Sequence, residues 1–188
     1  MKKFIEDMYL EYYDRLMVIA CSYTHDKNLA EDIVQNTFLK AMLSYKKRGS
    51  FLAWCCTVMR NEFYDSCRHN KHFADVSIAE LDISEGTDLV REYIEGEERA
   101  QLAAMIAALP LRQREVMLRY VYAQDSDEEI AAALETSRDN VRQIRSRAVK
   151  ALKKMAEQGL SIRRDKKESE LAEKEAGASG GSENDQHR

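Results

Sequence analysis

A single proline, Pro110, falls in 188 residues, and only seven glycines accompany it. A chain this poor in both cannot supply the many tight reversals of a β-sandwich or barrel, so long helices are its natural use. Hydrophobic residues make up 44% of the sequence, enough to build helical cores. No apolar run approaches the ~18 residues that a membrane-crossing helix needs. At the N-terminus Glu6 and Asp7 interrupt any signal-peptide core. The expectation is an all-α cytoplasmic protein with no membrane insertion.

Four cysteines, Cys21, Cys55, Cys56 and Cys67, do not form a disulfide framework in a chain of this length and kind. They read as reduced, mostly buried thiols. Cys67, His69 and His72 lie near one another in sequence, but their spacing matches no common zinc site. Nucleophile-elbow, phosphate-loop, metalloprotease and dinucleotide motifs are all missing from the sequence. Neither a cofactor nor an enzymatic activity is expected.

Charge divides the chain more clearly than composition does. The formal net charge of −4 would discourage a nucleic-acid partner, yet residues 1–72 carry 11 basic and 9 acidic side chains. Residues 73–98 carry 1 and 9, and residues 99–160 carry 11 and 8. Two mildly basic blocks therefore flank a strongly acidic connector, and electrostatic attraction acts over about a Debye length rather than over the whole-chain average. The boundaries this suggests are a helical domain at 1–72, an acidic linker at 73–96 and a second helical domain at 97–157. The remaining tail, 158–188, is rich in Glu, Lys, Ser and Gly and is expected to be disordered, because it has too little apolar surface to offset its ordering entropy.

In the first block, helical periodicity predicts helices over 4–23, from an Asn28 cap to Tyr45, and from Phe51 to Asn70. On the second of these, Ala30, Val34, Thr37, Phe38 and Ala41 share one arc and form the core face. Leu39, Leu43 and Met42 fall opposite, among Asp32, Gln35 and Asn36, a mixture that suits a partner surface with a polar rim. A basic turn follows, Lys46-Lys47-Arg48-Gly49-Ser50. The third helix buries Phe51, Trp54, Cys55, Val58 and Met59, and its opposite arc collects Thr57, Arg60, Asn61, Tyr64, Arg68 and Lys71. Glu62 and Asp65 project elsewhere, leaving the arc free of acids. Cations, an amide and an aromatic on one face suit backbone contact and base stacking on single-stranded nucleic acid.

The second block reads as a helix from Glu97 to Leu109, a break at Pro110, and a helix from Arg112 to Tyr122. Ser126-Asp127-Glu128-Glu129 is a capping box that opens a short helix. Ser137 caps the next one, whose Val141, Ile144, Ala148, Leu152 and Met155 form an apolar stripe. A short helix, a tight turn and a capped amphipathic helix make a helix-turn-helix. Seven cations and one acid lie between Arg138 and Lys154. Arg and Gln early on such a helix reach base edges in a major groove, and later cations meet phosphates. In the turn, Glu135 stands where a glycine would relieve a left-handed backbone; if Glu135 is left-handed, that conformation costs about 1 kcal/mol.

Taken together, the two blocks resemble the extracytoplasmic-function (ECF) type of bacterial RNA polymerase sigma factor. Ala30-Glu31-Asp32-Ile33-Val34-Gln35-Asn36-Thr37-Phe38 resembles that family's A-E-D-x-x-Q-x-x-F. Phe51-Leu52-Ala53-Trp54 with Met59-Arg60-Asn61, Asp65 and Arg68 resembles its F-x-x-W and R-N run. Leu109-Pro110, Arg114-Glu115-Val116, Glu129-Ile130-Ala131 and Ser137 with Val141 resemble its second domain. The resemblance implies a transcription initiation factor that binds core RNA polymerase and promoter DNA. Asp32, Gln35, Asn36, Leu39 and Leu43 would dock on the β′ clamp helices. Lys46, Lys47, Arg48, Arg60, Asn61, Tyr64, Arg68 and Lys71 would hold the melted minus-ten strand. Ser137, Arg138, Asp139, Arg142, Gln143, Ser146, Arg147 and Lys150 would read the minus-thirty-five duplex in a domain that also touches the β flap. An anti-sigma factor is a further partner class for the family. The main alternative reading is a stand-alone helix-turn-helix regulator, and a helical adaptor that binds only protein is a third. The recognition segment Ser137-Arg138-Asp139-Asn140-Val141 differs from the family's common S-x-G-T-V.

Overall fold

The computed structural model describes residues 2–46, 49–69 and 89–179, with side chains from Lys3 to Gly159 within those ranges. Seven α-helices are delimited among the described residues, besides a helical stretch at 89–91, and no strands occur there. They are α1 (Lys2–Thr24), α2 (Lys27–Ser44), α3 (Phe51–His69), α4 (Glu97–Ala107), α5 (Leu111–Leu118), α6 (Asp127–Ala133) and α7 (Arg138–Ser179), with a π-helical turn over Arg119–Ala123 after α5. The chain divides into two compact units, Met1–Lys150 and Ala151–Arg188.

Helices α1, α2 and α3 pack on one another as a three-helix group. Leu16, Ile19, Ala30, Val34, Met59 and Phe63 are buried in this first block. Phe38, Tyr45, Phe51 and Trp54 stack at one end, with Tyr45 and Phe51 centroids 5.2 Å apart and nearly edge-on. The α1–α2 joint departs from expectation by two residues. His25 takes a left-handed φ of 52°, and Asp26 rather than Asn28 caps α2, accepting from the Leu29 amide at 3.1 Å. Both are good caps. The left-handed residue ending α1 makes Asp26 the one with extended backbone in front of the first helical turn.

The first unit holds the first block and the second block as far as Lys150, because α4 and α5 pack on α1 and the π turn packs on α3. The π turn was not expected. The helix predicted to run to Tyr122 leaves α geometry after Leu118, and its end is marked by Gln124 at a left-handed φ of 58°. Glu135 is left-handed, with φ of 51°. It sits in a Schellman closure of α6, where the Thr136 amide donates to the Ala131 carbonyl at 2.9 Å and the Glu135 amide to Ala132 at 3.4 Å. Those bonds satisfy carbonyls that would otherwise be orphaned, which offsets the backbone cost. The capping box at Ser126 and Glu129 is complete in both directions.

The helical backbone of α7 runs beyond residue 157, where the second domain was expected to end, and continues to Ser179. Lys, Glu, Arg and Ala dominate that stretch, and these residues favour helix without needing a buried face. Most of the acidic connector, residues 70–88, lies outside the described residues, as do Lys47, Arg48, Lys71 and His72. No described helix is long and apolar enough to cross a membrane.

Candidate nucleic-acid interface

Three faces carry the residues singled out in the sequence, and the structure treats them differently. On α2 the core arc is buried, with Ala30, Ile33, Val34, Thr37, Phe38 and Ala41 all turned inward. Asp32, Gln35, Asn36, Leu39 and Leu43 are exposed together on the opposite side. Leu43 keeps 88% and Leu39 57% of its surface, and Met42 is exposed beside them. Lys40, also on this side, reaches across to Glu62 on α3. Leucines left this open on a stable helix form an apolar patch in search of a cover.

On α7 the expected recognition face is equally open. Ser137, Arg138, Asp139, Arg142, Gln143, Ser146, Arg147 and Lys150 are all exposed, and Arg142, Gln143, Ser146, Arg147 and Lys150 line a shallow groove of about 390 Å³. Val116, Ile130, Ala131, Leu134 and Val141 form the core beneath it, with Ile144 packed on the edge. Ser137 Oγ accepts from the Asn140 amide at 3.2 Å, so the helix starts where the sequence placed it. Acids from the preceding helix hold three of the arginines: Arg138 meets Glu128 at 2.8 Å, and Asp127 takes Arg145 at 2.8 Å and Arg142 at 3.5 Å. Arg145 also lies over the Tyr120 ring at 4.8 Å.

The α3 arc differs from what its sequence suggested. Thr57, Arg60 and Tyr64 are only partly exposed, while Asn61 and Arg68 are open. The arc is not free of acids. Arg68 pairs with Asp65 one turn back, and a fully buried carboxylate from α5, Glu115, reaches the centre of the arc. Glu115 Oε1 accepts from Arg60 Nε at 2.7 Å and from the Tyr64 hydroxyl at 3.0 Å, and Oε2 accepts from Arg112 Nη1 at 3.3 Å. Arg60 in turn lies over the Tyr64 ring, 4.8 Å from its centroid. Burial, with the adjacent Glu115 charge and hydrogen bond, pushes the Tyr64 hydroxyl up to about 12. An open cleft of about 450 Å³ remains beside this cluster, lined by Arg60, Asn61, Tyr64, Asp65, Arg68 and Arg112.

Two more arginines tie the second block to the first. Arg114 is buried and donates to the Ser22 carbonyl at 2.5 Å, to the Leu109 carbonyl at 3.1 and 3.0 Å, and approaches His25 Nε2 at 2.9 Å. Burial pulls its guanidinium down to about 10. Arg119, at the start of the π turn, donates to Thr57 Oγ1 at 3.1 Å and to the Ala53 carbonyl at 3.4 Å, while its Nε lies 2.8 Å from buried Asp125. Sequence reading missed Arg114, Glu115 and Arg119 as an interface. Their one signal was charge on both sides of a short apolar run, Val116 to Leu118.

The Sigma-70 region 2 family matches residues 8–73, and the Sigma-70, region 4 family matches residues 99–152. The ECF RNA polymerase sigma factor SigM of Bacillus subtilis is 27% identical over 84% of this chain and 98% of its own length. RNA polymerase sigma factor YlaC, also of B. subtilis, is 27% identical over 80% of this chain and 90% of its own. Among solved structures, the sigma factor RpoE in complex with the anti-sigma factor NepR from Bartonella quintana shares the fold. Its TM-score is 0.61 at 22% identity, covering 84% of this chain and 98% of that one. CnrH in complex with the cytosolic domain of CnrY gives 0.55 at 19% identity, over 84% of this chain and 90% of that one. The two matched regions, in this order and over these residues, make the chain a sigma factor of the ECF type, a promoter-specific initiator of transcription.

Proposed function

We propose that the three faces divide the work of initiation among them. Asp32, Gln35, Asn36, Leu39 and Leu43 dock core RNA polymerase, at the clamp helices of β′. Arg60, Asn61, Tyr64 and Arg68 on α3, with Lys46 and with Lys47, Arg48 and Lys71, hold the melted non-template strand of the minus-ten element. The face from Ser137 to Lys150 reads the minus-thirty-five duplex, and its domain meets the β flap. The observation that carries the docking assignment is the open Leu39 and Leu43 pair beside exposed Asp32, Gln35 and Asn36.

No step in this scheme needs a catalytic group. Capturing unstacked bases on Tyr64 and along the arginines shifts the duplex equilibrium toward the open form, offsetting a few kcal/mol of unstacking. The chain works in the cytoplasm, where its polymerase is. An anti-sigma factor is a fitting partner, since RpoE is in complex with the anti-sigma factor NepR and CnrH is in complex with the cytosolic domain of CnrY.

The test is capture of core RNA polymerase by the purified chain, repeated with Asp32→Ala/Leu39→Ala. Stable binding by the wild type and its loss in the folded double variant is the expected result. A folded wild type that captures no polymerase would return the chain to the reading of a stand-alone regulator.

A further inference from the structure

The first turn of α7 carries one acid on a face that is otherwise cationic and polar. Asp139 is exposed there beside Arg138, Arg142, Gln143 and Lys150. An acid in that place repels the phosphates that its neighbours attract, so it weakens sequence-independent binding to DNA. Three of the four side chains that begin the helix, those of Ser137, Arg138 and Asn140, are tied back to the protein. Ser137 Oγ accepts from the Asn140 amide at 3.2 Å, Asn140 Nδ2 donates to Thr136 Oγ1 at 2.8 Å, and Arg138 Nε meets Glu128 at 2.8 Å. Asp139 is the fourth, and among the described residues its carboxylate has no hydrogen bond or ion pair. Arg142, one turn on and spaced to pair with it, is turned instead toward Asp127 of α6 at 3.5 Å. The carboxylate is thus left open on the reading face. It accepts hydrogen bonds and donates none. The donors that bases offer in the major groove are N4 of cytosine and N6 of adenine. Adenine sets its N7 acceptor beside the amine, which repels a carboxylate and suits an amide, whereas cytosine presents its amine with no acceptor next to it on the same base.

We propose that Asp139 is a specificity-determining residue of the duplex-reading face: its carboxylate accepts from the N4 amine of a cytosine and fixes a C·G pair at one position of the minus-thirty-five element. This rests on the reading that the face from Ser137 to Lys150 meets duplex DNA in the major groove. The acid gives up general affinity and gains discrimination, because a wrong base leaves a desolvated carboxylate without a donor. A carboxylate in the first turn also favours the helix through its dipole. That role alone predicts no change of base preference when Asp139 is replaced, so the two are separable.

The test is selection by holoenzyme, core RNA polymerase with the full chain, from a pool of promoter-length duplexes of random sequence, with the bound duplexes sequenced. At one position of the minus-thirty-five element the wild type should favour cytosine over the other bases by about tenfold. Asp139→Ala should flatten that position to within about twofold, leave the others as they are, and bind unselected duplex more tightly. Asp139→Asn keeps the shape of an exposed side chain and adds a donor, so the favoured base should move from cytosine to adenine at the same position. Identical selected sequences from the wild type and both variants would overturn the cytosine contact, as would a change confined to an A·T pair. Arg142→Ala tells which reading has failed. An element altered by Arg142→Ala and untouched by either Asp139 variant keeps α7 as the duplex reader and removes the cytosine contact alone. If none of the three variants alters the element, the duplex-reading face and its cytosine contact fall together.

Discussion

The arc on α3 and the face on α7 are built from nearly the same residue types, arginines with an amide and a hydroxyl, and their availability is opposite. On α7 the partners of the arginines are near in sequence and on the surface. Arg138 and Arg142 are both more than half exposed while paired with acids of the adjacent α6. Such pairs are screened by water and are worth little, so they give way readily to phosphates. On α3 the partner of Arg60 is 55 residues away and fully buried. The same chemistry on a helix face is thus ready to bind in one place and engaged in the other, and tertiary packing makes the difference.

The comparison breaks most sharply on stability. Arg60→Ala strips Glu115 of its closest cation and leaves a buried carboxylate undercompensated, an arrangement that costs several kcal/mol in wholly buried pairs. Because Arg60 is partly exposed and Arg112 still faces the carboxylate, the expected loss is about 2 kcal/mol. Arg142→Ala removes an exposed side chain and should stay within about 0.5 kcal/mol of the wild type. Urea unfolding of the two variants measures both. Equal, small effects would mean that the α3 cluster is no tighter than a surface pair.

A second, smaller contrast is functional. Arg142→Ala should weaken duplex recognition by about 1–2 kcal/mol, the range for one base or phosphate contact. Arg68→Ala, at an exposed residue of the arc, should leave duplex binding intact and impair strand opening in the holoenzyme. Gel-shift of promoter duplex against permanganate reactivity of the opened strand separates the two. Equal loss of duplex binding in both variants, with normal opening once bound, would erase the division between the faces.

The sequence showed one of these regions better than the other, for a physical reason. The α2 partner face and the α7 recognition face follow from 100° periodicity, because the residues that define each face lie within one helix. The Ser126 capping box is likewise local, and so is the turn that holds Glu135. Glu115 was readable only as part of an Arg-Glu-Val motif, since its burial depends on residues 51 and 55 positions earlier. Asp65 misled for a subtler reason: helical projection put it outside the arc, but a long arginine at i+3 reaches back to it. The π turn had no sequence mark beyond Gln124, one of three non-glycine residues at positive φ among those described.

The finest way to sharpen the comparison is to titrate Tyr64, which reports on the Glu115 cluster from inside the arc. Its hydroxyl is held up to about 12, by burial first and by the Glu115 charge and hydrogen bond next, against an ordinary value of 10.0. A group whose folded value is raised contributes stability that is complete below its unfolded value and fades as pH climbs through the folded one. Tyr64 therefore supports the closed arrangement fully below about pH 10 and loses that support progressively toward pH 12. Difference absorbance of phenolate between the wild type and Tyr64→Phe isolates this one ring from the other eight tyrosines. Glu115→Gln should bring its midpoint partway back toward 10, because the carboxylate charge is removed while burial remains. A midpoint unmoved by Glu115→Gln would show that burial alone sets it and that the carboxylate has little hold on the arc.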